Sequence, residues 1–176
     1  MRVAIVHYWW FKNRGGEAVI KNILDLYPDA DLFLHASNDE VISRSIGGTH
    51  KGKIFKSFIN RLPFVEKFYK YYLPLMPIAT ESLNLTGYDL IISSEAGPAK
   101  GIISKPEAIH ICYCHSPMRY IWDLSHVYQK NSGFFKRRIF AILSHYLRFH
   151  DVISANRVDY FIANSTFVSD RIMKTY

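Results

Sequence analysis

The feature that most constrains this chain is a set of short, nearly continuous apolar runs that give way to turns and then to helical periodicity. Arg2 to His7 (RVAIVH), Tyr88 to Ser93 (YDLIIS), Ala108 to Cys114 (AIHICYC) and Asp159 to Ala163 (DYFIA) suit strands buried on both faces of a parallel sheet, and Asp31 to His35 reads as a further strand. After the first run come Gly15 and Gly16. Val19, Ile20, Ile23, Leu24 and Tyr27 then recur at helical spacing until Pro28 ends the pattern. Ser94 to Pro98 form a turn that can feed a short helix through Lys100, and Ser116–Pro117 break the chain before helical stretches at Ile121 to Tyr128 and Phe134 to Ala155. Asn164 and Ser165 can cap a last helix, Thr166 to Tyr176. Strands alternating with helices predict an α/β fold: a Rossmann-like open parallel sheet, helices on both faces, joined by right-handed crossovers. Between the second strand and Pro74 and Pro77 the chain is basic, aromatic and poorly periodic, and predicts only short helices.

With 176 residues, 49% of them hydrophobic, one domain spanning 1–176 can bury a single core. No apolar run reaches bilayer-spanning length, and MRVAIVHYWW has too short an apolar core and no small-residue cleavage site for a signal peptide. Cys112 and Cys114, the only cysteines, are alternate residues of one strand, where a strain-free disulfide between them is disfavoured. These features point to a reducing, cytoplasmic location. The net charge of +7 is uneven. Lys51, Lys53, Lys56, Arg61, Lys67 and Lys70 face only Glu66 between Lys51 and Tyr72, and Lys136, Arg137 and Arg138 open an amphipathic segment. An anionic neighbour is expected, with nucleic acid the weakest candidate because no reader motif is present.

Ligands of open parallel sheets bind beyond the carboxyl ends of the strands. That rule selects His7 to Trp10 with Gly15 and Gly16, then Ser93 to Gly97, then His115 to Arg119, then Asn164 and Ser165, as four clusters converging on one crevice. Gly15 and Gly16 either form a plain structural turn or let a helix N-terminus approach a diphosphate; the spacing is not G-x-G-x-x-G. His115, just past a strand, can donate a hydrogen bond to a sugar hydroxyl or carbonyl without acting as a base. Arg119 either pairs with Asp123 four residues on or grips phosphate with its guanidinium fork. Cys112, Cys114 and His115 lack the further ligands of a closed metal site, so no metal is expected, and Ser93, Ser94 and Glu95 do not form a nucleophile elbow.

The stretches VAIVHYWW with RGGEAVIKNILDLYPDADLF, LPLMPIATESLNLTGYDLIISSEAGPAKGII, ICYCHSPMRYIWDL and ANRVDYFIANSTFVSDRI together resemble the N-terminal domain of glycosyltransferase family 4, in particular mannosyltransferase-like bacterial polysaccharide enzymes. The resemblance implies a retaining transferase of the two-Rossmann-domain GT-B type, needing no cofactor or obligatory metal, with acceptor recognition in this domain. The donor, a nucleoside diphosphate sugar such as GDP-mannose or a UDP-sugar, would be held mostly by a C-terminal domain that these residues do not include. It assigns Gly15 and Gly16 to the donor diphosphate or sugar and His115, as the catalytic residue, to the transferred sugar. His7, Ser94, Glu95 and Arg119 complete the crevice, the last three as weaker carry-overs. Alone, the chain is expected to be nearly inactive, since the groups that neutralise the leaving diphosphate belong to the other domain.

Two readings follow. In the first, the chain is the acceptor-side half of an enzyme that glycosylates a glycan or lipid-linked acceptor, with the basic stretch at the acceptor's phosphate or at the anionic inner face of the membrane. In the second, it is a non-catalytic module that binds an anionic glycan, lipid head group or protein partner.

Overall fold

A computed structural model describes residues 1–130 and 133–176. Six strands, β1 (Val3–Trp10), β2 (Asp31–Ser37), β3 (Ile54–Lys56), β4 (Leu90–Glu95), β5 (Ile109–Cys114) and β6 (Tyr160–Ala163), form one sheet in the order β3-β2-β1-β4-β5-β6, and every neighbouring pair is parallel. The strand order reverses direction between β1 and β4, which makes that junction the topological switch point of a Rossmann-like sheet.

Helices α1 (Gly15–Leu26), α2 (Asp39–Ile46), α3 (Val65–Phe68), α4 (Met76–Glu81), α5 (Ser125–Gln129), α6 (Phe134–Ala155) and α7 (Thr166–Thr175) connect or flank the strands. Side chains alternate along each strand and sort themselves between the two faces. Ile5, Leu32 and Leu34 pack with Ile20 and Leu24 of α1 and Ile42 of α2. On the other face, Ala4, Val6, Phe33 and Ile91 pack with Leu83, Leu85, Ala99 and Ile102. Further along the sheet, Cys112 and Cys114 lie buried and unbridged against Val168 and Ile172 of α7.

Several elements differ from the sequence expectation. β1 runs three residues past His7, because Trp9 and Trp10 stay in register with Ala36 and Ser37 of β2. Trp10 is fully buried and its indole N–H donates to Asn13 Oδ1 (3.0 Å), which satisfies the polar atom that would otherwise favour a loop. β4 is displaced two residues toward the C-terminus, so Ser94 and Glu95 are strand residues rather than a turn. Gly15 and Gly16 are the first two residues of α1, with Arg14 as the N-cap, and do not precede it as a separate turn. The Ile121–Tyr128 helix reduces to α5, since Ile121 sits in the preceding turn. β3, at the sheet edge, carries no apolar alternation in the sequence and pairs through only three residues of β2.

Candidate functional site at the strand switch point

Four side chains meet on the α1 side of the switch point. His7 of β1 is in register with Ser94 of β4, and Ser94 with Tyr113 of β5, so these residues share a face and His115, two beyond Tyr113, continues it. Ser94 Oγ lies 2.9 Å from His115 Nε2, and the His115 backbone N–H donates to the Glu95 carbonyl (2.8 Å), fixing the first residue past β5. A methyl group placed on Gly16 would stand 3.5 Å from His7 Cε1, 3.6 Å from His115 Nε2 and 3.6 Å from Tyr8 Oη. The absent side chain at position 16 therefore leaves just the space into which two imidazoles and a phenol project. A methyl on Gly15 would meet nothing within 4 Å, so that residue faces open space.

His7 is fully buried, and its Nδ1 lies 3.0 Å from the Ser94 carbonyl oxygen. A carbonyl only accepts, so Nδ1 carries a proton and donates it. Nε2 has no hydrogen-bond partner among the described residues. It faces Glu17 Oε1 at 4.0 Å.

Glu17 is the site residue that sequence reasoning missed. It is buried at the α1 N-terminus, and its Oε2 accepts from the Arg14 backbone N–H (3.0 Å). Burial raises its carboxyl, but the His7 ring and the backbone donors outweigh that and hold it below the ordinary value. It stays ionised, and its charge occupies part of the positive end of α1. The signal was present in Arg-Gly-Gly-Glu: a carboxylate three residues after the N-cap is half of a capping box. Beside it, Trp9, Phe11, Lys12, Arg14, Glu66 and Tyr69 surround a recess of about 110 Å³.

Burial, with the nearby His7, pushes His115 below the ordinary histidine value, so the ring is neutral at physiological pH. When Ser94 donates to Nε2, the remaining proton sits on Nδ1, which can then donate to a ligand oxygen. Tyr8 is pushed up to about 12 by burial and by Glu17 and Glu95, so its phenol remains a hydrogen-bond donor. What converges is the His115 ring and the Tyr8 phenol as neutral donors, the buried His7 and Glu17 side chains, and the first-turn N–H groups of a twelve-residue helix. Among the described residues no group of three or more His, Cys, Asp or Glu side chains could hold a metal.

No family model, no curated protein and no solved structure matches the chain.

Glu95 and Arg119, both placed in the crevice by the resemblance, do not join this cluster, nor does Ser93, which bonds His110 on the opposite face, or Ser165, which caps α7. Glu95 is adjacent to Ser94 in β4 and so points to the opposite face, where it is fully buried. There its Oε1 accepts from Lys100 Nζ (2.9 Å) and its Oε2 from the Lys100 backbone N–H (2.8 Å). Lys100 also pairs with Asp151 of α6, whose carboxylate accepts from Trp122 Nε1 (2.7 Å) and Tyr176 Oη (3.1 Å). This cluster ties β4 to α6 and the chain end, which is a structural role. Arg119 is exposed and makes no ion pair among the described residues; Asp123, its expected partner, pairs with Arg171 of α7 instead.

Proposed function

We propose that this chain is the acceptor-side, Rossmann-like half of a retaining GT-B glycosyltransferase, moving a hexose such as mannose from GDP-mannose or a UDP-sugar to a glycan or lipid-linked acceptor. The observation that carries the reading is the meeting of His7, Gly16, Ser94 and His115 at the switch point, where Rossmann-like sheets bind nucleotides and sugars. The motif resemblance to glycosyltransferase family 4 supplies the reaction class.

In this reading His115 donates a hydrogen bond to the transferred sugar through a neutral imidazole, with Ser94 fixing its tautomer. The first turn of α1 at Gly15 and Gly16 presents N–H groups to the sugar or diphosphate. Glu17, ionised and buried beside His7, accepts a hydrogen bond from a ligand hydroxyl. Negative charge on the departing diphosphate is stabilised mainly by a second domain, so these residues bind and orient, and transfer requires both halves.

The test joins the chain to a C-terminal domain of the family and assays sugar transfer, with His115→Ala alongside. Transfer that collapses in the variant supports the reading. A folded but inert fusion, together with calorimetric binding of an anionic glycan and none of GDP-mannose or UDP-glucose, would instead favour a non-catalytic binding module.

A further inference from the structure

The two basic segments, separate in the sequence, meet in the fold. Lys70, Tyr71 and Pro74 form one wall of an apolar groove of about 260 Å³, and Phe140, Leu143 and Leu147 of α6 form the other. Leading into it from the first segment is an aromatic ladder: Phe64 and Phe68 rings lie 6.3 Å apart, Phe68 and Tyr71 rings 6.0 Å apart, and Phe64, Phe68 and Tyr71 are exposed. Arg61, Lys67 and Lys70 are exposed along this ladder, with Lys67 over the Phe68 ring.

α6 itself leaves a large apolar face without cover. Phe135, Ile139, Ile142, Tyr146, Phe149 and Ile153 are all exposed, and their spacing of four, three, four, three and four residues places them on one stripe of the helix. Lys136 and Arg138 flank the start of that stripe, and Arg138 lies over the Phe134 ring. The one carboxylate of α6, Asp151, is buried with Lys100, so every exposed charge on the helix is positive. On the far side of the stripe, Trp122, His145, Phe149, Val152 and Ile153 line a second, mostly apolar recess of about 440 Å³.

We propose that this face is a docking surface for an anionic lipid bilayer. α6 would lie in the plane of the head groups with its stripe toward the acyl chains, and Arg61, Lys67, Lys70, Lys136, Arg137 and Arg138 would meet the lipid phosphates. Charge complementarity commits the surface to this occupant. Six positive charges against Glu66 around exposed Phe, Tyr and Ile make the pattern of an interfacial helix. Two copies of the same face would instead oppose like charges. No helix among the described residues is long and apolar enough to cross a membrane, so the contact is parallel to the surface. The 64–71 segment also carries Glu66 and Tyr69 beside the recess next to Glu17, which sets the candidate site at the edge of the docked face. The proposal does not depend on the chain's taking part in sugar transfer.

Co-sedimentation of the 176-residue chain with vesicles tests it, comparing pure phosphatidylcholine with phosphatidylcholine containing about one-third phosphatidylglycerol. Binding to the anionic vesicles that weakens in high salt is expected. Joint reversal of Lys136, Arg137 and Arg138 to Glu should reduce it on the order of a hundredfold. Ile142→Glu with Phe149→Glu should reduce it comparably, and because both side chains are exposed, circular dichroism should show the fold intact. The proposal is overturned if the folded chain ignores anionic vesicles or binds neutral ones equally well. It is also overturned if light scattering shows a dimer that Phe149→Glu dissolves while vesicles go unbound.

Discussion

Mild acid should destabilise this fold through two buried imidazoles, and the hydrogen bonds say why. Thr80 Oγ1 donates to the Met76 carbonyl (2.8 Å), so the 2.7 Å contact to His35 Nε2 is one in which the ring donates. His35 Nδ1 is then bare, buried and without a partner among the described residues, and a proton added there would find no acceptor. His110 is satisfied as a neutral ring: Nδ1 donates to the Arg157 carbonyl (3.1 Å) and Nε2 accepts from Ser93 Oγ (2.8 Å). Burial pushes His35 down to about 3 and His110 down to about 4. The unfolded chain takes up both protons near pH 6.5 and the folded chain does not, so stability present above that pH is lost as the pH falls toward the folded values. Between about pH 7 and about pH 5 each ring costs about 2 kcal/mol, or about 4 kcal/mol for the pair. Glu95 works the other way. Burial pushes its carboxyl upward, with Lys100 opposing and Asp151 reinforcing, so any proton it takes up in the folded state offsets part of that loss. Urea titrations at the two pH values should therefore show a net loss of about 2 to 4 kcal/mol, before smaller terms from the less buried histidines. In the double variant His35→Gln with His110→Asn, which keeps each donated hydrogen bond, the loss should vanish or reverse sign. If wild type and double variant lose the same stability on acidification, the two rings are not held neutral by burial and the reasoning is refuted.

Other expectations follow from the site and the core. Gly16→Ala should leave the fold intact or more stable by up to about 1 kcal/mol in thermal melts, because its methyl meets neighbours at ordinary contact distance in a helix, while weakening ligand binding at the crevice at least tenfold by titration calorimetry. Lys100→Met should cost about 3–5 kcal/mol in urea titrations near neutral pH, since it leaves Glu95 and Asp151 buried without their cation; a loss near zero would contradict the ion-pair account. Glu17→Gln keeps an acceptor for the Arg14 N–H but removes the negative charge at the start of α1. It should tighten pyrophosphate binding about two- to fivefold in calorimetry, and unchanged affinity would count against anion binding at that helix end.

The central strands β1 and β4 were legible because burial on both faces writes itself as unbroken apolar runs. Ala108 to Cys114 and Phe134 to Ala155 were read within a residue of β5 and α6 from apolar content and helical spacing, although β5 is buried on one face only and α6 leaves an apolar stripe exposed. Where a strand ends was less legible, since Tyr8, Trp9 and Trp10 look equally at home in a loop and only pairing with β2 holds them in the sheet. The same two-residue shift in β4 decided the site: once Ser94 and Glu95 are strand neighbours, alternation sends one to the crevice and the other to Lys100. That Lys100 is fully buried could not be read from composition, because its partner Asp151 lies 51 positions away in the sequence. The glycine–histidine meeting was selected by the general rule for parallel sheets, whereas Glu17 and the junction of the basic segments needed the folded chain.

The account rests on ligand contact at the strand switch point, and amide and imidazole NMR of the chain titrated with GDP-mannose and with UDP-glucose at millimolar concentration tests it most directly. The amides of Gly15, Gly16 and Glu17 and the ring of His115 should shift together along one saturable curve. Shifts confined to the opposite ends of the central strands, around Arg2, Asp31 and Tyr88, or no shift with either nucleotide sugar, would contradict it.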